Sequence, residues 1–173
     1  MKRLILVRHA KSSWKNAALA DSDRPLSGRG KRDAPRMGLY LAEHGIVPDI
    51  ILASPARRAR KTACLLAGEI PAAAGRILVD PALYGASAGV LLERVRALDE
   101  RWQQVMLIGH NPGLTDFANL LTAAGIDNIP TCGVLVADLD LAFWRQSEPG
   151  CGRAALYVVP KGLPANFPDG TEK

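Results

Sequence analysis

The chain has 173 residues, 48% apolar and 23% charged, which is one domain's worth of globular sequence and excludes a disordered, collagen-like or coiled-coil protein. No run approaches the roughly 18–20 apolar residues that span a bilayer. Its 22 basic and 17 acidic residues leave a net charge of +5, and the charge is uneven: Arg24 to Lys61 holds nine basic residues against three acidic ones. Such a local field favours an anionic partner, and the preponderance of arginine suits forked contacts to phosphate.

Taken in order, Arg3–Val7 is a short apolar run and reads as a buried strand. Before it, Met1-Lys2-Arg3 is followed by too few apolar residues for an export signal, so the expected compartment is the cytoplasm. A polar loop follows from Arg8 to Pro25. Ser27 caps an expected helix to about His44, stopped by Gly45, with Pro35 expected to kink it or shift its start. His44 at that helix end reads as a dipole contact without chemistry. Asp49–Ala53 is a second strand, and Ser54-Pro55 reads as an N-cap with proline at the first helical position, opening a helix to about Gly68. Arg76–Val79 is a third strand. A helix is expected from Ser87 to about Glu100, with Val90, Leu91, Val95 and Leu98 at helical spacing. Val105–Ile108 is a fourth strand, and Asn111-Pro112 repeats the cap-plus-proline signal for a helix to about Ala124. Val134–Leu139 and Ala154–Val159 are late strands. Lys161–Lys173, rich in Pro and Gly, is expected to pack loosely. The three cysteines (Cys64, Cys132, Cys151) lack paired or zinc-type spacing and read as free thiols in a reducing compartment.

Strands alternating with helices predict an α/β domain with a largely parallel sheet. In such sheets ligands sit beyond the carboxyl ends of strands. That rule selects Arg8-His9, the stretch from Ser54, and His110-Asn111. Each helix start offers free N–H groups to an anion, and arginines beside it strengthen the cradle. Two histidines, Arg8, Arg58 and two helix starts are thus expected to converge on a phosphoryl group. A neutral imidazole is a competent nucleophile near pH 7. Attack by His9 gives a phosphohistidine that water hydrolyses, with Arg8, Arg58 and a protonated His110 holding the oxygens. The sequence has no P-loop, no carboxylate cluster at metal spacing and no dinucleotide fingerprint, so neither metal nor cofactor is expected.

At these residues the chain resembles a known family. Leu6-Val7-Arg8-His9-Ala10-Lys11-Ser12, Arg24-Pro25-Leu26-Ser27, Ser54-Pro55-Ala56-Arg57-Arg58-Ala59 with Thr62, and Ile108-Gly109-His110-Asn111-Pro112 follow the order of blocks in the histidine phosphatase superfamily, the phosphoglycerate-mutase-like fold. Ala10 stands where the family usually has glycine. The short length resembles the SixA-like branch of phosphohistidine phosphatases. The resemblance implies a three-layer sandwich over 1–160, followed by a tail over 161–173. It makes His9 the nucleophile and Arg8, Arg58 and His110 phosphate ligands, with Arg24 and Asn111 also placed at the phosphate. Larger relatives carry an acidic Glu after the third strand, but Asp80–Ser87 has none. Asp21 or Asp23 is the candidate general acid.

The expected partner is a phosphorylated protein or a small phosphate ester; no nucleic acid or membrane is expected. A non-catalytic anion-binding module is the reading from a different class. Aromatic residues are only 5% and are not interleaved with the basic ones, so stacking platforms for nucleic acid are poorly supported.

Overall fold

The computed structural model describes residues 1–71, 73–165 and 167–168. Six strands form one sheet: β1 (Lys2–Arg8), β2 (Ile50–Ala53), β3 (Ile77–Val79), β4 (Gln104–Gly109), β5 (Val134–Leu139) and β6 (Gly152–Val158), in spatial order β3-β2-β4-β1-β5-β6. β3, β2, β4 and β1 run parallel, whereas β5 and β6 add antiparallel pairings at one side. Four helices flank it: α1 (Gly28–Glu43), α2 (Arg57–Glu69), α3 (Ala88–Arg96) and α4 (Gly113–Thr122).

The strand period of two divides the core into two layers. Ile5, Val7, Met106 and Ile108 face one side, where they pack with Met37, Leu41 and Leu66 of α1 and α2. Leu4, Leu6, Val105 and Leu107 face the other, against Leu91, Val95, Phe117 and Leu121 of α3 and α4. A strand buried on both faces must read as continuous apolar sequence, which is why the central strands were legible. The result is the three-layer α/β sandwich of the phosphoglycerate-mutase-like fold.

Local details depart from the sequence expectations. Pro35 lies inside α1 without shifting its start: Ser27 is the N-cap, its hydroxyl accepting from Gly30 N at 3.2 Å, and Gly45 leaves the helix at φ +67°. α3 starts beyond Ser87 as expected but ends at Arg96, not Glu100. There the chain must turn back toward β4, and Asp99 holds that turn by accepting from Arg101 N. Ser54 and Asn111 do not cap their helices. α2 begins after Ala56 and α4 after Pro112, because both polar side chains are engaged elsewhere. In the expected loose tail, Pro160–Gly162 forms a 3₁₀ turn and Leu163 is buried, while Asp169–Lys173 lies outside the described residues. Among the described residues, no helix is long and apolar enough to cross a membrane.

Candidate active site

Two adjacent strand ends build the centre of the site. β1 and β4 are in parallel register with Arg8 opposite Gly109, and His9 N donates to Gly109 O at 3.1 Å. His9 and His110 therefore leave the sheet side by side, their ring centroids 5.0 Å apart. His9 Nδ1 lies 2.8 Å from Ala10 O. A carbonyl only accepts, so Nδ1 carries the proton and Nε2 keeps its lone pair. Arg58, in the first turn of α2, points its Nε at that nitrogen from 3.2 Å and its Nη2 at His110 Nδ1 from 3.4 Å. His110 Nε2 lies 2.7 Å from Ser54 Oγ. An arginine only donates, so His110 accepts at Nδ1 and donates from Nε2 to the serine.

Burial, reinforced by nearby cationic groups, lowers the His9 pKa to about 3. Burial and then the Arg58 charge lower His110 to about 4. Both imidazoles are neutral at pH 7, so the protonated His110 expected from sequence is not the state of the unliganded site. Arg8 donates from Nη1 to Ile129 O at 2.9 Å. Its Nε is buried with no acceptor among the described residues, which leaves that N–H for an oxygen of a bound anion.

A second wall comes from loops. The Asp21–Asp23 turn brings Asp21 Oδ2 to 2.8 Å from both Arg58 Nη2 and Tyr84 Oη, and Asp21 Oδ1 to 3.0 Å from Arg24 Nη1. These donors, Arg58 first, hold the Asp21 carboxyl well below the usual carboxylate range. The same bond pushes the Tyr84 phenol up. Arg24 is buried, donates also to Ser12 Oγ and Ser13 O, and stacks under Trp14; it meets the cluster through Asp21. Asp23 is exposed and its carboxylate makes no hydrogen bond among the described residues. Asn111 turns its amide away, donating to Asn128 Oδ1 and Ile129 O and accepting from Thr115 Oγ1. Its side chain serves the loop before β5 rather than the cluster.

Arg8, His9, Arg58, His110 and Asp21 therefore meet, while Asp23 and the Asn111 amide do not. Arg57 is exposed beside buried Arg58. Three partners lie in stretches that the sequence reading named without giving them these contacts. Ser54 sits under His110. Thr62 accepts from Ala10 N and donates to Arg58 O, tying α2 to the segment behind His9. Tyr84 sits in the Asp80–Ser87 segment where a Glu was sought; scanning it for any protic side chain would have found it. Three further arginines of the basic segment (Arg29, Arg32 and Arg36) line a separate recess of about 500 Å³ with Lys161 and Asp33. A smaller recess of about 210 Å³ adjoins His110 between the Gly85–Ser87 loop and the start of α4. Among the described residues, no group of three or more His, Cys, Asp or Glu is placed to hold a metal ion.

Residues 4–112 match the histidine phosphatase superfamily (branch 1). The chain belongs to that superfamily. It is a phosphatase, and it resembles the SixA-like branch. An uncharacterised protein of Mycobacterium tuberculosis strain H37Rv is 31% identical over 90% of this chain and the whole of its own. SixA of Agrobacterium tumefaciens is 28% identical with a TM-score of 0.78, over 92% of this chain and 98% of that one. A tungstate complex of the protein histidine phosphatase SixA is 22% identical with the same TM-score, over 92% and 97% of the two chains, and shares the fold. The matched span covers the strand-end histidines and Arg58, and reaches only to the start of α4. In this histidine phosphatase the cluster offers a lone pair on His9 Nε2, two guanidiniums and a second imidazole around one small volume, which suits a tetrahedral oxyanion.

Proposed function

We propose that this chain is a metal-independent phosphatase that dephosphorylates protein phosphohistidine through a phosphohistidine on His9. The observation that carries the proposal is the His9 tautomer: the Ala10 carbonyl fixes the proton on Nδ1 and leaves Nε2 unprotonated beside Arg58. Nε2 attacks phosphorus in line as the bond to the substrate nitrogen breaks. Water then attacks the phosphorus of His9, releasing inorganic phosphate and restoring the imidazole. Arg8 Nε and Arg58 donate to the equatorial oxygens, and the dianion restores a proton to His110 Nδ1.

The leaving group follows from the absence of a strong acid. Asp80–Ser87 contains no Glu, and Asp21 is held ionised by its arginines, so it has no proton to give. A substrate imidazole protonated on its other nitrogen leaves neutral and needs no donor, whereas an alkoxide does. The SixA of Agrobacterium is itself named as a candidate phosphohistidine phosphatase, which supports the same choice. A small phosphate ester is the second reading; the recess of about 210 Å³ beside His110 has room for a compact leaving group.

The test compares a histidine-phosphorylated protein with a panel of small esters, with and without EDTA. His9→Ala is expected to lower kcat by about 10⁴-fold or more and to abolish an acid-labile phosphoenzyme. Full activity in that variant removes the nucleophile assignment. Faster turnover of small esters than of phosphoprotein replaces the first reading with the second, and loss of turnover in EDTA ends metal independence.

A further inference from the structure

Arg58 is the most heavily engaged donor of the site. A guanidinium has five N–H bonds, and four contacts already draw on them: His9 Nε2, His110 Nδ1, Asp21 Oδ2 and the Asp21 carbonyl. A phosphoryl group on His9 Nε2 frees the Arg58 Nε–H that this nitrogen accepted, and one Nη1–H is unengaged among the described residues, but both Nη2 N–H bonds must be taken from Asp21 and His110. The contacts to the two imidazoles have neutral acceptors and are at 3.2 and 3.4 Å, the range where hydrogen bonds weaken. The contact to the Asp21 carboxylate is charge-assisted and at 2.8 Å, so the competing ligand is an internal anion.

We propose that Asp21, latched by Tyr84, is a built-in competitor for Arg58, so that an oxyanion at His9 gains both Nη2 N–H bonds only when the Asp21–Tyr84 pair opens. This inference rests on the phosphatase reading and adds a specificity-determining residue to it. Three features fit a latch better than a fixed brace. The Asp21 side chain is 52% exposed and Tyr84 is 44% exposed, so opening the pair disturbs no core. The partners belong to separate loops, the Asp21–Asp23 turn and the connection between β3 and α3, joined here through Asp21 Oδ2 and Tyr84 Oη. Arg24, buried and fixed by Ser12 and Ser13, holds the other carboxylate oxygen, so an opened Asp21 stays within reach of Arg58. A dianion outcompetes one carboxylate for Arg58, whereas a monoanion meets an equal charge. Return of the carboxylate helps expel phosphate after hydrolysis.

The experiment measures inorganic phosphate binding by titration calorimetry at pH 7.5, and kcat and KM on the same substrate, for the full chain. Asp21→Asn keeps the shape and removes the charge; phosphate affinity is expected to rise about tenfold. KM is expected to fall, and kcat to fall with it because product leaves more slowly. Tyr84→Phe removes only the phenol bond and is expected to tighten phosphate about threefold, and the two changes together fall short of their product because they open one latch. Weaker or unchanged phosphate binding in Asp21→Asn, with the wild type binding phosphate and turning over substrate, overturns the latch and leaves the phosphatase reading intact. That result makes Asp21 a brace for Arg58. Phosphate binding by neither protein, with His9→Ala fully active, overturns both. If Asp21→Asn fails the thermal-melt control for folding, Tyr84→Phe decides alone: tightening supports the latch, and unchanged or weaker binding overturns it.

Discussion

β1 carries a cation at each end, and the two are treated differently. Lys2, 1% exposed, donates to Glu100 O at 2.7 Å and Trp102 O at 2.8 Å, lies 3.6 Å from the Glu100 carboxylate and sits over the Trp144 ring. Arg8 has one acceptor, Ile129 O, and a buried Nε with none among the described residues. Burying a charge is costly unless it is paired. Lys2 satisfies that requirement within the fold, so it is structural. Arg8 leaves it to be met by a ligand, and burial already lowers its pKa. The half-buried, under-satisfied cation lies at the carboxyl edge of the parallel strands, beside the candidate site, and the buried, satisfied one lies at the amino edge.

The largest break of this comparison is Arg8→Met. Turnover by kcat/KM is expected to fall about 10²–10³-fold, as for loss of one oxyanion donor. The melting temperature is expected to stay or rise, since a desolvated charge is replaced by an apolar chain. Lys2→Met is the reciprocal experiment. It leaves the Glu100 carbonyl without its Lys2 donor, while Trp102 O keeps Trp144 Nε1, and is expected to lower stability by about 1–3 kcal/mol with turnover unchanged. Denaturant melts and steady-state kinetics on both variants decide the matter: a stability loss in Arg8→Met with activity retained reverses the distinction.

The next effect links the two walls of the cleft. A Cβ added at Gly113, the first residue of α4, would lie 1.8 Å from the Ala86 carbonyl oxygen. Gly113→Ala must therefore displace the loop that carries Tyr84, while His110 stays on β4. Turnover is expected to fall about tenfold through misplacement of the loop wall, with phosphate affinity shifting as it does in Tyr84→Phe. An unchanged phosphate affinity shows that the loop does not govern the site.

The strand-end wall was legible and the loop wall only through Asp21, named as a candidate acid beside Asp23, for a physical reason. Arg8, His9 and His110 follow apolar runs whose burial on both faces fixes their register, so composition alone placed them at one edge. The helix start at Ser54-Pro55 pointed to Arg57 and Arg58 alike, and the family resemblance, through the Arg58-Ala59 pair, separated them; the serine itself went to His110. Asp21, Tyr84 and Ser54 depend on which way a loop folds across another, and no local periodicity records that. The same limit explains Asn111, whose side chain satisfies the side chain of Asn128 and the carbonyl of Ile129, seventeen and eighteen positions away.

Acid sharpens the comparison from the other side. An unfolded histidine titrates near 6.5, while burial holds His9 at about 3 and His110 at about 4. Between those values the unfolded chain binds more protons than the folded one, so stability falls as pH falls from about 6.5 toward 4 and 3. His110→Asn keeps a neutral donor for Ser54 and is expected to flatten part of that decline in thermal melts. Equal slopes for wild type and variant would mean that His110 is not held neutral by the fold.

Ser54→Ala gives the smallest effect. Ser54 is fully buried, 2.7 Å from His110 Nε2, and its hydroxyl also accepts from Ala56 N. Removing it takes away two hydrogen bonds, of which the one at His110 is worth about 1 kcal/mol, so turnover is expected to fall about fivefold. A loss of packing alone would lower the rate equally at every pH. A positioning role predicts more: with its Nε2 partner gone, the ring can turn and exchange the nitrogen it offers to Arg58. The acid limb of the rate profile should then move in Ser54→Ala, whereas His9→Ala leaves no profile to read. A uniform fall with an unmoved limb would make the serine filler beneath the ring.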